Sequence, residues 1–287
     1  MDQRLIDLYD EYTHAPLERR VFLDRLAKLA GGTAAAAAVL PLLEGGYAHA
    51  QTVPADDPRI RTERVEYPGR GGAVKGLLAW PANPAGRLPA VVVIHENRGL
   101  NPHIEDVARR FAVAGHLALA PDLLSPLGGT PADADAARAA IGKLDREQTL
   151  GNLDAALAYL AGHQAGNGKV GSVGFCWGGG MSGALATRNP DLDAAVVYYG
   201  QAPEAAAVPA IRAPLLLHYA GLDARINEGV PAFEAALKAA GKPYELHMYE
   251  GANHAFNNDT SAERYNAEAA KLAWDRTLAF FGRHLKA

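Results

Sequence analysis

The sequence predicts an α/β fold, in which a doubly wound, mostly parallel sheet carries helices on both faces. Short apolar runs recur along the chain, and amphipathic helical patterns separate them. Crossover helices between parallel strands must bury their apolar stripes against the sheet, so this alternation favours a sheet that is covered on both sides. The runs that we interpret as strands cover residues 73–80, 90–95, 117–120, 170–175, 194–199 and 215–219.

Two helical patterns and one further strand complete the alternation. The helix predicted over 103–114 is followed by Gly115, a residue type that commonly ends helices. A last strand is predicted from the alternation of Tyr244, Leu246 and Met248, which is typical of a half-buried strand. The apolar faces of the two helices are formed by Ile104, Val107, Ala108 and Phe111 and by Leu150, Leu153, Leu157 and Leu160.

Composition narrows the class of protein and of partner. The 287 residues are 49% hydrophobic and 21% charged, which fits one large domain or two small ones. A net charge of −4 supplies no basic field, so we expect no nucleic-acid partner. The single cysteine, Cys176, excludes an intramolecular disulfide and a multi-cysteine metal site. We expect no metal and no cofactor, and the sequence leaves the oligomeric state open.

Residues 1–50 have two interpretations. The run from Arg19 to Leu23, Arg-Arg-Val-Phe-Leu, resembles the twin-arginine export motif, and Ala48-His49-Ala50 resembles a cleavage site. This interpretation predicts an exported, periplasmic protein that is cut after Ala50. The longest uncharged stretch near the start of the chain, 29–43, is shorter than the roughly 20 residues of a membrane span, so no integral span is predicted there.

The alternative is a helical N-terminal extension of a cytoplasmic protein. Leu5, Leu8, Tyr9 and Tyr12 follow the spacing of an amphipathic helix. Residues 1–28 carry six acidic and five basic side chains, whereas a signal sequence should begin with net positive charge. In either interpretation, residues 51–59 form a proline-containing linker and residues 60–287 form the α/β domain.

A nucleophile motif follows one of the predicted strands. Gly174-Phe175-Cys176-Trp177-Gly178 matches the G-x-S-x-G elbow of α/β-hydrolases, with sulfur in place of oxygen. Asp223 and His254 follow later predicted strands, in the chain order nucleophile, acid, histidine. Loops at the carboxyl edge of an open sheet converge, so these three side chains are expected to form a catalytic triad.

From about Val65 to Leu285 the sequence resembles the dienelactone hydrolase, or carboxymethylenebutenolidase, family of the α/β-hydrolases. The resemblance implies that Cys176 is the nucleophile, His254 the base and Asp223 the acid that orients it. It also implies that Glu96 is the resting partner of the thiol. The motifs that carry the resemblance are Val93-Ile94-His95-Glu96-Asn97-Arg98-Gly99, Ala120-Pro121-Asp122-Leu123, Gly168-Lys169-Val170-Gly171, Gly174-Phe175-Cys176-Trp177-Gly178-Gly179 and Tyr198-Tyr199-Gly200.

The remaining site residues concern the oxyanion and the substrate. In this fold the backbone N–H groups of Trp177 and Asn97 are expected to form the oxyanion hole. The family commonly places a carboxylate-binding arginine four residues after the histidine, but this sequence has Asn258 there. Arg98 is a candidate replacement, and Tyr199 is a candidate pocket residue.

The function expected from these residues is hydrolysis of a small lactone or ester through a thioester acyl-enzyme. A broad carboxylesterase or thioesterase would use the same residues with a different pocket. A hydrolase-like protein that binds a small molecule without turnover is the non-enzymatic alternative. Two other motifs are weak, because Gly178 to Gly183 lies too far past its strand for a dinucleotide site and His95-Glu96 lacks the second histidine of a zinc protease.

Overall fold

The structure is a computed structural model that describes residues 1–15, 17–44 and 51–286. Within these residues one eight-stranded sheet runs in the order β1-β2-β4-β3-β5-β6-β7-β8. The pairs β1–β2 and β2–β4 are antiparallel, and the five other pairs are parallel. The strands are β1 Ile60–Gly69, β2 Gly72–Pro81, β3 Leu88–Ile94, β4 Leu117–Pro121, β5 Gly166–Phe175, β6 Ala194–Tyr198, β7 Leu215–Ala220 and β8 Tyr244–Tyr249.

Helices cover both faces of this sheet. Alternate side chains of β3 point to opposite sides, because Val92 and Ile94 belong to one apolar cluster and Val91 and Val93 to another. The first cluster includes residues of the helices α6 (Arg146–Ala161), α7 (Trp177–Arg188) and α9 (Val230–Ala239), and the second includes residues of α4 (Pro102–Val113) and α10 (Ala267–His284). The predicted doubly wound α/β class is therefore confirmed. The helices α5 Ala134–Ile141 and α8 Ala224–Asn227 lie beside these helices.

The predicted elements are found with small shifts at their ends. The apolar faces predicted for α4 and α6 are buried. One strand, β1, was not predicted, because it is an edge strand whose charged side chains, such as Arg61 and Glu63, are exposed. Met248 was expected on a half-buried face of β8, but 39% of it is exposed, because β8 forms the other edge of the sheet.

The N-terminal helices α1 Gln3–His14, α2 Arg19–Ala30 and α3 Thr33–Glu44 form an apolar cluster of their own. The face predicted for α1 is buried in it. Among the described helices, none alone has the length and apolar character needed to cross a membrane. Taken together, α2 and α3 have that length and composition, but they are bent by 110° relative to each other. The expected cleavage motif at 48–50 lies outside the described residues, and export stays a prediction.

The segment 51–59, expected to be a linker, has no helix or strand but is tied to α4. Val53 is buried, its N–H donates to Asp106 Oδ1 at 2.8 Å, and its carbonyl accepts from Arg109 Nε at 2.6 Å.

Candidate active site

The loops that follow four parallel strands bring the predicted catalytic residues to one edge of the sheet. Glu96 follows β3, Cys176 follows β5, Asp223 follows β7 and His254 follows β8. All four residues are buried, with between 4 and 6% of their surfaces exposed. This edge is where open α/β sheets place their ligands.

Cys176 occupies a strained turn between β5 and α7. Its φ of 55° and ψ of −118° lie outside the usual regions for a residue with a side chain. Both neighbouring glycines are required, because a Cβ on Gly174 would lie 1.9 Å from the Gly178 carbonyl oxygen and one on Gly178 would lie 2.4 Å from the His95 carbonyl oxygen. The sequence motif therefore folds as the expected elbow, with the sulfur beside the first turn of α7.

His254 and Asp223 form a hydrogen-bonded pair. His254 Nδ1 lies 2.5 Å from Asp223 Oδ2, while Asp223 Oδ1 accepts from the N–H of Ile226 at 3.2 Å. Asp223 is thus fixed as the cap of α8. The other ring nitrogen, His254 Nε2, is buried and has no hydrogen-bond partner within the described residues. This arrangement leaves Nε2 available for a substrate or a water molecule.

Glu96 lines the same cavity as Cys176 but is held by another residue. Asn258 Nδ2 donates to Glu96 Oε2 at 2.9 Å, so Asn258, which replaces the family arginine, anchors this carboxylate. Glu96 Oε1 is buried, and no described residue donates a hydrogen bond to it. The neighbouring His95 ring contacts the Glu96 carbonyl at 2.7 Å and accepts from the N–H of Leu123 at 3.3 Å. The role of Glu96 as the resting partner of the thiol stays a prediction.

The two residues predicted for the oxyanion hole flank the nucleophile. Trp177 is the first residue of α7, so its N–H has no partner within the helix. Asn97 lines the cavity, and its side chain donates to the Thr13 carbonyl at 2.9 Å.

The two candidate substrate residues lie in different places. Arg98 lines the cavity, is 7% exposed and donates to the Tyr9 hydroxyl at 3.2 Å. Tyr199 is fully buried behind His254, with the two ring centroids 5.0 Å apart, and does not contribute to the cavity wall that the described residues form. Burial raises the pKa of Tyr199 well above its ordinary value. The roles of Arg98 and Tyr199 in substrate binding stay predictions.

The sequence analysis missed a second histidine at the nucleophile. His14, the last residue of α1, places Nε2 3.0 Å from Cys176 Sγ. The His14 and His254 rings meet edge to face, with centroids 4.5 Å apart. On the other side of the His14 ring, Nδ1 lies 3.2 Å from Asp10 Oδ1. An acidic residue four positions before a histidine on a helix is the one local signal that could have drawn attention to His14.

The cavity beside Cys176 is small, with a volume of about 20 Å³, which is room for one water molecule. The N-terminal helix α1 forms part of its wall. The residues around it are Tyr9, Thr13, His14, Glu96, Asn97, Arg98, Cys176, His254, Ala255 and Arg264.

Two groups of described side chains have the composition of metal ligands. His14, Cys176 and His254 each place a donor atom within 4.8 Å of the others, and so do Asp10, Asp223 and His254. These residues could hold a cation such as Zn²⁺, which accepts sulfur, imidazole and carboxylate ligands. The sequence predicts no metal, because it has a single cysteine and lacks the second histidine of a zinc-protease motif after His95-Glu96.

The chain is similar to known proteins over most of its length. The dienelactone hydrolase family model matches residues 74–285, and a second model, described as YqhI-like, matches residues 1–32. A protein of Saccharolobus solfataricus assigned as a carboxymethylenebutenolidase is 35% identical over 257 residues, which cover 77% of this chain and 98% of that protein.

Two solved structures have the same fold over most of this chain. A Klebsiella pneumoniae protein assigned as a dienelactone hydrolase is 33% identical with a TM-score of 0.71, covering 78% of this chain and 99% of its own. A dienelactone hydrolase-like promiscuous phosphotriesterase from metagenomic libraries is 25% identical with a TM-score of 0.72, and the match covers 79% of this chain and 100% of that protein. By its sequence match and by its fold, this chain belongs to the dienelactone hydrolase family of carboxylic ester hydrolases.

Proposed function

We propose that this protein hydrolyses a small lactone or carboxylic ester through a thioester formed on Cys176. One observation carries the proposal: Cys176 lies on a strained elbow at the edge of the sheet where the paired His254 and Asp223 also lie. A thiol, an imidazole and a carboxylate in this order are the parts that nucleophilic acyl transfer requires.

The reaction proceeds in two halves. The thiol loses its proton to an imidazole, and the sulfur bonds to the substrate carbonyl carbon, whose oxygen accepts from the N–H groups of Trp177 and Asn97. The tetrahedral intermediate expels the alkoxide, which takes the proton from the imidazolium and leaves a thioester. In the second half His254 removes a proton from water, the resulting hydroxide displaces the sulfur, and the carboxylic acid is released.

Two charged residues in the cavity wall support an anionic substrate. Arg98 and Arg264 are each 7% exposed and line the cavity with Cys176. A guanidinium binds a carboxylate through paired hydrogen bonds, so these residues would compensate for the absence of an arginine at Asn258. A lactone that carries a carboxylate therefore fits this wall better than a neutral ester does.

The test compares the hydrolysis of cis- and trans-dienelactone with that of p-nitrophenyl acetate by the full chain. Cys176→Ala should abolish all three activities. Asp223→Asn should retain the fold and lower kcat by about 10³- to 10⁴-fold, because the histidine loses its orienting anion. Mass spectrometry of a quenched reaction should detect one acyl group on Cys176. His163→Gln is the control, because the His163 ring accepts from the Ala165 N–H and packs against Tyr159, away from the proposed catalytic residues.

Each alternative predicts a different result. Cysteine-dependent cleavage of the acetate alone would indicate a broad carboxylesterase or thioesterase. Binding without cleavage of any substrate would indicate a non-catalytic protein. Full esterase activity in Cys176→Ala would contradict the proposed mechanism.

A further inference from the structure

The nucleophile has two histidine neighbours, and the closer one is not the histidine of the predicted triad. His14 Nε2 lies within hydrogen-bond distance of Cys176 Sγ, at 3.0 Å. His254 Nε2 is buried beside the same sulfur but has no hydrogen-bond partner in the described part of the chain. The resting sulfur is therefore paired with a residue of α1.

The His14 ring is oriented from its Nδ1 side, as the His254 ring is, but the hydrogen bond is to a main-chain carbonyl. The Nδ1 atom of His14 faces Asp10, lying 3.2 Å from its Oδ1 and 2.9 Å from its carbonyl oxygen. The Nδ1 atom of His254 faces Asp223. An acceptor oxygen at Nδ1, which is the Asp10 carbonyl for His14 and the Asp223 carboxylate for His254, favours the tautomer with its proton on that atom and leaves Nε2 free to accept a proton.

We propose that His14 is a further catalytic residue that takes the proton of the Cys176 thiol and holds the sulfur as a thiolate. The S–H bond breaks, the proton moves to His14 Nε2, and the sulfur keeps the electron pair. The proton on His14 Nε2 later goes to the leaving alkoxide, which restores the neutral imidazole. His254 is then free to activate the water that cleaves the thioester. This inference rests on the proposed function, because it requires Cys176 to be the nucleophile.

The charges around the pair favour the ionised form. Burial and the neighbouring His254 oppose a charge on His14, but the Cys176 sulfur and Asp10 outweigh them and raise the pKa of His14. Burial also opposes a charge on Asp10, yet His254, His14 and Arg225 lower the pKa of that carboxyl. Glu96, Arg98 and Arg264 face the sulfur along the cavity, and Asp223 lies behind His254.

The inference gives the N-terminal helices a part in the chemistry. His14 and Asp10 lie outside residues 74–285, which the dienelactone hydrolase family model matches, and inside residues 1–32, which the YqhI-like model matches. The α/β domain alone would thus hold the nucleophile without His14, and Glu96 would be the remaining candidate partner of the thiol.

The test measures the rate of Cys176 alkylation by iodoacetamide as a function of pH, in the full chain and with a chelator present. Because Cys176 is the only cysteine, the reaction reports this sulfur alone. The pH midpoint gives the population of thiolate, and the plateau rate at high pH gives the accessibility of the sulfur. The variants are His14→Gln, Asp10→Asn and His254→Gln, with His163→Gln as the control.

His14→Gln should raise the midpoint by at least about one pH unit, which is a tenfold loss of thiolate at neutral or lower pH. Asp10→Asn should raise it by a smaller amount. His254→Gln should keep the parent midpoint while losing turnover, and His163→Gln should match the parent in both measurements.

Two results would overturn the inference. One is an unchanged midpoint in His14→Gln with a raised midpoint in His254→Gln, which would make His254 the partner of the thiol. The other is an unchanged midpoint with a faster plateau in His14→Gln, which would make His14 only a steric cover.

Circular dichroism checks that each variant is folded, and Asp10→Asn supplies an independent midpoint if His14→Gln loses α1. If Cys176→Ala keeps its esterase activity, the proposed function fails whatever the midpoints are, so the two failures can be told apart.

Discussion

At the residue scale, a buried histidine outside the active site makes stability depend on pH. His116 lies between α4 and β4, is 6% exposed and packs its ring against Phe111 and Phe281. Its Nδ1 atom has no hydrogen-bond partner within the described residues. Burial lowers the pKa of His116 from 6.5 to about 4, because the imidazolium loses its hydration.

The lowered pKa of His116 makes the folded protein less stable at acidic pH. Between pH 6.5 and about 4 the unfolded chain binds a proton at His116 that the folded chain does not, so stability falls as the pH falls. We expect His116→Phe to reduce the loss of unfolding free energy between pH 7 and pH 4.5 by about 2 kcal/mol. Urea denaturation at both pH values measures this, with His163→Gln as the control. An equal loss in His116→Phe and the parent would contradict the assignment.

The sequence predicted residues that depend on local patterns and missed one that depends on a distant contact. The elbow around Cys176 is a local motif, and Asp223 and His254 follow recognisable strands, so their convergence followed from the topology of a parallel sheet. His14 lies 162 positions from Cys176, and nothing near it in the chain shows which loop α1 will contact. The replacement of an arginine by Asn258 was visible in the sequence, but its hydrogen bond to Glu96 was not.

At the scale of elements, the turn between β5 and α7 depends on Gly174. A Cβ there would lie 1.9 Å from the Gly178 carbonyl oxygen and 2.3 Å from its carbonyl carbon, and backbone atoms cannot move aside without breaking the elbow. We expect Gly174→Ala to lower the unfolding free energy by more than about 3 kcal/mol or to prevent folding.

Gly142→Ala is the matched control, because its added Cβ would have no atom nearer than 3.7 Å and its backbone is right-handed. We expect its stability to equal that of the parent within about 1 kcal/mol. Thermal and urea unfolding of the two variants give the comparison. A stable, active Gly174→Ala would contradict the elbow geometry.

Buried strands were predicted more accurately from the sequence than exposed ones. The strands β3 and β7 are covered on both faces and read as continuous apolar runs, so the sequence revealed them. The edge strand β1 carries a mostly exposed pattern that resembles a loop. The helices α2 and α3 resembled an export signal because α3 is apolar with little charge, although only Ala36 and Leu43 in it are buried.

At the scale of the whole molecule, the N-terminal helices have their own apolar cluster and meet the α/β domain largely through polar groups. Leu5, Tyr9 and Phe22 pack among residues of the first 43 positions. The contacts to the domain include Gln3 with Asn253, Thr13 with Asn97, and Arg225 with Asp10. Polar and ionic contacts at a partly exposed junction are individually weak, so this docking is easier to open than either apolar cluster.

Asp135 is the centre of this junction. It accepts from the Tyr12 hydroxyl at 2.8 Å, pairs with Arg19 of α2, and lies 3.8 Å from Arg98 and from Arg138 of the α/β domain. The cavity of about 20 Å³ beside Cys176 is smaller than an ester, so we expect α1 to open and admit the substrate, then to close and return His14 to the sulfur before the thiol reacts. Weakening the junction should therefore make admission of the substrate easier.

We expect Asp135→Asn to raise kcat/KM for p-nitrophenyl butyrate about fivefold, as a loss of about 1 kcal/mol in docking would give. Hydrogen exchange should become faster in residues 3–14 and stay unchanged in the central strands. Asp154→Asn is the matched control, because Asp154 pairs with Arg188 and does not contact the N-terminal helices within the described residues. Added salt should also raise the kcat/KM of the parent protein, because it screens the charge of Asp135. It should raise the kcat/KM of Asp135→Asn less, because that variant has already lost the charge. Unchanged exchange in α1 together with an unchanged kcat/KM would show that opening of the N-terminal helices does not limit access to the sulfur.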